Sequence, residues 1–205
     1  MDDWDWSKIA NNFDQHVEDQ LPWYNLVCET IAFFVQSHLP NKGTIIDVGS
    51  ATGTLRKNVQ TILDARNAKL IEIDSEKNMN NNKDFICIKA EDYEPPTHDI
   101  SVWNLTLMFI NPAIRSKTLK KFYDKTNPGG IIIGVDRIAK PTQHALTYQR
   151  LILSQKKANP EQIIKKEIML SGIQRPLTQI PGETWFQYTD FYGWIITKPE
   201  NLNKT

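Results

Sequence analysis

Residues 44–53 read Thr-Ile-Ile-Asp-Val-Gly-Ser-Ala-Thr-Gly, an apolar run that breaks into a glycine turn. Ile45, Ile46 and Val48 suit a strand covered on both faces, the environment of a parallel sheet. Gly49 and Gly53 let the backbone turn tightly and approach a ligand without Cβ clashes. Asp47 stands near the end of the strand, just ahead of that turn. A dinucleotide-binding turn would read G-x-G-x-x-G, with a helix amino terminus under a pyrophosphate. Here the loop is D-x-G-x-A-x-G, with Ala51 at the middle glycine.

A second signal, Lys69-Leu-Ile-Glu-Ile-Asp74, lies about 20 residues beyond Gly53, near the spacing of a ribose-binding acid. A carboxylate at a strand end can accept both hydroxyls of a ribose, each charge-assisted bond contributing roughly 1.5–3 kcal/mol. Asp74 alone would serve equally well as the cap of a helix starting near Ser75. Its pairing with the glycine loop favours the ligand role.

Strand candidates at 44–48, 69–73, 85–88, 99–104 and 130–135 alternate with helical stretches, and an aromatic pair follows within 184–198. This pattern predicts a Rossmann-like α/β fold: a mostly parallel seven-stranded sheet with an antiparallel last strand and helices on both faces. At 205 residues with 40% hydrophobic content, one domain is expected. Residues 1–40 would form a helical lid, with an amphipathic lead-in helix at 5–20 and an apolar helix from about Asn25 to His38. Residues 137–183 would be a helical insert before the last strands, a substrate-side or interface element. Asn80–Asp84 reads as an exposed loop, and Asn127-Pro-Gly-Gly130 as a turn into the fifth strand.

No apolar run approaches the roughly 20 residues of a membrane span, and the acidic start Met1-Asp-Asp-Trp-Asp is unlike a signal peptide. A cytoplasmic protein without membrane contact is expected. Cys28 and Cys87 lack metal-binding spacing and read as two buried thiols, so no metal site is assigned. Net charge is zero, which argues against a broad nucleic-acid footprint and for a small-molecule acceptor. The stretch 137–175 is nonetheless basic, as an anion-facing surface or a solvated helix face would be. His16 and His144 are candidate general bases. The chain has neither the N/D-P-P-Y/W motif of amino-directed DNA methylation nor a Pro-Cys nucleophile.

The order of these motifs resembles class I S-adenosylmethionine-dependent methyltransferases. It is most similar to the carboxy-S-adenosylmethionine synthase group, which supplies tRNA wobble-uridine modification. Phe13-Asp14-Gln-His-Val17 and Pro22-Trp-Tyr24 resemble that group's entry segment, and Asp47–Gly53 its D-L-G-x-x-x-G loop. Ile73-Asp74-Ser75 through Met79 resembles its I-D-N-S-x-x-M. Asn104-Leu-Thr-Leu-Met-Phe109, continuing through Pro112, Arg115 and Asn127–Gly130, resembles N-F-T-L-Q-F followed by N-P-G-G. Trp185-Phe-Gln187 resembles its closing strand.

The resemblance implies S-adenosylmethionine, S-adenosylhomocysteine or carboxy-S-adenosylmethionine as the cofactor-type ligand, and a homodimer. It implies that Tyr24 lies over the cofactor and that Asp47, Gly49, Ser50 and Gly53 surround its methionine part. Asp74 with Ser75 would hold the ribose, Glu91 or Asp92 the adenine amino group, and Asn104 would end the fourth strand beneath the sulfonium. Each has an ordinary structural alternative: Tyr24 as core, Glu91 and Asp92 as an exposed turn, Asn104 as a strand-end side chain bonded to backbone. The synthases pair an insert arginine with the transferred carboxyl; this chain departs from them, offering Lys165, Lys166 or Glu167 there, with Arg175 nearby. Lysine lacks the planar fork of arginine. A methyltransferase is therefore the leading expectation, with Asn104, His16, Lys166 and Arg175 as candidate catalytic residues. A prephenate-using synthase and a non-catalytic S-adenosylmethionine-binding protein are the alternatives.

Overall fold

The computed structural model describes residues 13–139, 143–155, 160–171 and 173–200. Five strands run in parallel: β1 (Thr44–Val48), β2 (Lys69–Asp74), β3 (Ile86–Cys87), β4 (His98–Asn104) and β5 (Thr126–Arg137). The hairpin of β6 (Glu183–Tyr188) and β7 (Phe191–Thr197) completes the sheet. The order is β3-β2-β1-β4-β5-β7-β6, and β7 pairs antiparallel with both its neighbours. The expected Rossmann-like sheet is therefore present. Two helices, α1 (Phe13–Gln20) and α2 (Tyr24–His38), precede it; the lead-in residues 5–12 lie outside the described segments.

Strand alternation builds a core on each face. Ile45, Ile100, Ile131 and Ile133 point to one side and Ile46, Ile71, Trp103 and Ile132 to the other. Burying each aliphatic side chain contributes roughly 1.5–3 kcal/mol, which is why branched-aliphatic runs commit to inner strands. The first face is covered by α2, through Val27, Ile31 and Val35, and by α3 (Thr54–Arg66), through Leu55, Val59 and Leu63. Both stripes follow the i, i+4, i+8 spacing of one helix face. Arg66 in the last turn of α3 donates to the Gln36 and Leu39 carbonyls and so satisfies the end of α2. On the other face lies α4 (Pro112–Lys125), anchored by Phe122 and capped by Asn111, whose side chain accepts from the Ala113 amide.

Three local expectations are corrected. Asn127–Gly130 lies inside β5 as an irregularity: the register jumps from His98↔Thr126 to Ile100↔Ile131, with Gly129 at φ 78°. Asn80 is buried and not exposed, because it and Asn82 turn inward onto Glu72. Cys87 is exposed, since the two-residue β3 forms the sheet edge; Cys28 is buried as expected. The insert after β5 contains α5 (Gln143–Gln155) and α6 (Pro160–Ser171). Among the described residues no helix is long and apolar enough to cross a membrane.

Candidate active site

The sheet order reverses between β1 and β4, and open α/β sheets take ligands beyond the strand ends at such a switch point. A cavity of about 940 Å³ opens there. Its floor is the glycine loop. Gly49 has φ 74°, and a Cβ on it would run into the Thr106 side chain, so glycine is required on two counts. Four of the loop's amides are already used. Gly49 and Ser50 both donate to the Ile73 carbonyl at the β2 tip (2.9 and 3.0 Å), Ala51 to Asp74 Oδ2 (3.0 Å), and Gly53 to the Ser50 carbonyl (2.9 Å).

With those donors turned away, this end of the cavity presents acid. Asp47, Asp74 and Glu76 all line it. Asp47 is 4% exposed, and burial followed by the nearby Glu72 and Asp74 carboxylates pushes its pKa well above the carboxylate range, with Arg56 opposing. Burial also raises Asp74, against the amides of Glu76 and Ala51 that bond to it. The Glu76 bond to Asp74 Oδ1 (2.9 Å) closes a side-chain turn, and no helix begins at Ser75. Behind this wall Glu72 is 1% exposed, held by Arg56 (2.9 and 2.8 Å), Asn82 (2.5 Å) and Asn80 (3.4 Å).

The tip of β4 forms the next wall. Leu105 takes φ 56°, which turns the chain immediately after Asn104. Thr106 Oγ1 then donates to the Val48 carbonyl (2.8 Å), tying this tip to the end of β1. The Met108 amide donates to Asp136 Oδ1 (2.8 Å), the Trp194 indole to Asp136 Oδ2 (3.0 Å), and the Arg175 amide to the Met108 carbonyl (2.8 Å). Asp136 is fully buried, and burial outweighs those donors, pushing its pKa up to about 7. Its folded pKa therefore exceeds the ordinary 3.8. Its contribution to stability is complete below about pH 4 and is lost as pH rises through about 7. Urea unfolding at pH 5 and pH 8 should show this decline, and Asp136→Asn should flatten the slope; an unchanged slope would count against it.

The roof comes from α1, α5 and α6. Phe13, His16, Val17 and Gln20 of α1 face the cavity, as do Leu146 and Arg150 of α5 and Glu167 and Leu170 of α6. Asp14 holds α1 down by accepting from Thr52, beside the glycine turn, and from Lys57 of α3 (2.8 Å). Arg150 forks onto Glu167, Nε to Oε1 and Nη2 to Oε2, both 3.1 Å. Arg137, also in the wall, is held by buried Asp190 (2.8 and 2.6 Å) and by Gln174 (2.7 Å).

Of the sequence-predicted residues, Tyr24, Asp47, Gly49, Ser50, Asp74, Ser75, Asn104 and His16 come together around this cavity. Tyr24 is buried, which drives its phenol far above the ordinary value, and burial pushes the Cys28 thiol beside it up to about 12. Gly53 starts α3 from behind the lining. Glu91 and Asp92 do not line the cavity: the chain turns away after β3, and the Glu91 carbonyl takes Lys121 Nζ (3.0 Å). Arg175 and His144 are exposed and outside the lining, and the Lys166 side chain lies outside what is described. Thr106 stood in a recognised motif with no role attached. Arg150 and Glu167 meet only because α5 and α6 pair, which no local pattern announces.

Two atoms in the wall, Ser50 Oγ and Asn104 Oδ1, are buried without a hydrogen-bond partner. Buried polar atoms are seldom left so, and a ligand with polar groups fits them.

No family model matches the chain. Among solved structures, a putative S-adenosyl-L-methionine-dependent methyltransferase from Methanococcus maripaludis is similar over 100% of this chain and 99% of its own, at TM-score 0.59 and 16% identity. The plantazolicin methyltransferase in complex with S-adenosylhomocysteine covers 93% and 89%, at TM-score 0.58 and 17% identity. These likenesses establish the class I methyltransferase fold. Among curated proteins, the carboxy-S-adenosyl-L-methionine synthase of Wolinella succinogenes is 26% identical over 94% of this chain and 92% of its own. The enzyme of that name from Staphylococcus epidermidis is 30% identical over 93% and 94%. On that near-complete correspondence, the chain belongs to the carboxy-S-adenosyl-L-methionine synthase family of S-adenosylmethionine-dependent transferases.

Proposed function

We propose that the protein binds S-adenosylmethionine across the β1 and β2 tips and transfers its methyl group to a small-molecule acceptor lodged beneath α5 and α6. The observation that carries this is the acidic end of the cavity. Asp47, Asp74 and Glu76 line it while the amides of Gly49, Ser50, Ala51 and Gly53 are bonded elsewhere, so the seat suits a cation and a ribose rather than a pyrophosphate. S-adenosylmethionine supplies a methyl group already activated on a sulfonium.

The protein's part is placement, which lowers barriers by roughly 7–11 kcal/mol when reacting atoms are held in line. Asp74 and Ser75 grip the ribose hydroxyls, and Gly49 and Ser50 frame the methionine portion. Asn104, fixed by the Leu105 turn and by Thr106, faces the reacting centre. Tyr24 closes over it and excludes water. His16, hydrogen-bonded to Gln20 (2.8 Å) on the underside of α1, is the group placed to accept an acceptor's proton.

Family membership favours a second reading: formation of carboxy-S-adenosylmethionine from prephenate. Incubation with S-adenosylmethionine and prephenate, followed by mass spectrometry of the small molecules, separates the two. Methyl transfer predicts no carboxylated cofactor, and S-adenosylhomocysteine released only when a true acceptor is supplied. A carboxylated cofactor would replace the first reading by the second. Absence of calorimetric uptake of both S-adenosylmethionine and S-adenosylhomocysteine would defeat both.

A further inference from the structure

We infer that Cys28 is a positioning residue: its sulfur holds the Asn104 amide so that the carbonyl end, Oδ1, is presented to the ligand, and the site thereby favours a charged sulfonium over the spent thioether. The inference rests on the proposed seating of S-adenosylmethionine and holds whatever becomes of its methyl group.

Cys28 stands one helical turn beyond Tyr24 on α2, is 8% exposed, and lines the cavity together with Tyr24 and Asn104. Asn104 Nδ2 donates to Cys28 Sγ at 3.8 Å, a hydrogen bond to sulfur. That end of the amide is committed to the helix. The other end, Oδ1, is buried in the cavity wall with no partner. Ser50, on the glycine loop and 5% exposed, lines the same cavity with its Oγ equally unpartnered, an independent sign that the wall is completed by a polar ligand. Burial pushes the Cys28 thiol up to about 12, so its sulfur stays neutral and holds the amide without adding a charge of its own.

In the proposed seating Asn104 faces the ligand's sulfur. A carbonyl oxygen there attracts a sulfonium, and an NH2 in its place would repel it. A thioether sulfur is uncharged and a weak acceptor, so it tolerates either end of the amide. When transfer removes the methyl group the sulfur loses its positive charge, and the oxygen that favoured the incoming molecule no longer favours the outgoing one.

Calorimetry on the intact chain gives the affinities for S-adenosylmethionine and S-adenosylhomocysteine, and their ratio is the quantity to follow. In Cys28→Ala, presenting Oδ1 leaves a buried N–H unpaired. The ratio should therefore fall about fivefold in disfavour of S-adenosylmethionine, while S-adenosylhomocysteine binds within about twofold of native. Cys28→Val, which keeps the space filled and offers no acceptor, should give the same fall and decides the matter should the alanine variant not fold. Asn104→Ala should lower the ratio at least as far, and adding Cys28→Ala to it should change the ratio no further. The inference is overturned if the ratio stays native in the Cys28 variants, or if both ligands weaken equally, as a packing defect alone would make them. It is overturned also if loss of Cys28 still lowers the ratio when residue 104 is alanine. Failure of the native protein to bind S-adenosylmethionine and S-adenosylhomocysteine at all would instead strike the proposed function itself.

Discussion

Asp74→Asn is expected to weaken S-adenosylhomocysteine binding by about 10- to 100-fold while leaving the protein folded. The carboxylate offers charge-assisted acceptance to two ribose hydroxyls, and each such bond contributes roughly 1.5–3 kcal/mol. An amide can accept with one end only. Its NH2 would also face either the Ala51 or the Glu76 amide, both of which now donate to Asp74. Losing about half of the interaction at each of two bonds comes to roughly 1.5–3 kcal/mol, or about one to two decades of affinity. Titration calorimetry measures the affinity, and a thermal melt of the free protein shows whether the fold survives. Binding within about threefold of native would mean that Asp74 serves only the turn at Ser75.

The largest stability effect is expected behind the cavity, at Glu72. This carboxylate is 1% exposed and receives Arg56, Asn80 and Asn82. Glu72→Ala leaves the Arg56 guanidinium, 30% exposed, and two inward-facing amides without an acceptor. Breaking a buried pair from one side costs about 3–5 kcal/mol. In a chain of this size each kcal/mol moves Tm by roughly 2–4 °C, so the melt should fall by about 10 °C. Cofactor affinity should fall with it, because Asn80 follows directly on Met79 in the cavity wall. A loss below about 1 kcal/mol would place Glu72 among ordinary surface-type pairs.

What could be read from residues alone divides along physical lines. The inner strands were legible because Ile45, Ile46 and Val48, or Leu70, Ile71 and Ile73, have no other comfortable environment than a sheet covered on both sides. The loop at 47–53 was legible because Gly49 must turn at positive φ under Thr106, a demand that local sequence carries. Within the exposed loop at 80–84, Asn80 and Asn82 misled, since polar side chains look solvated until a buried partner such as Glu72 comes into view. Glu91 and Asp92 misled for the opposite reason: their place after a strand suggested the cavity, yet the direction of the chain past a two-residue edge strand is set by packing and by Lys121. The roof was least legible of all. Which face of α5 meets which face of α6, and hence whether Arg150 finds Glu167, depends on how two helices dock.

One feature of helix α1 bears on how such a molecule would work through repeated cycles. Helix α1 buries none of its residues, and Asp14 fastens it to Thr52 and Lys57. Its release uncovers little oily surface, so a spent ligand can leave through a local opening at small energetic cost while the strands beneath stay intact. With α1 as the doorway and the strands as the frame, traffic through one need not loosen the other.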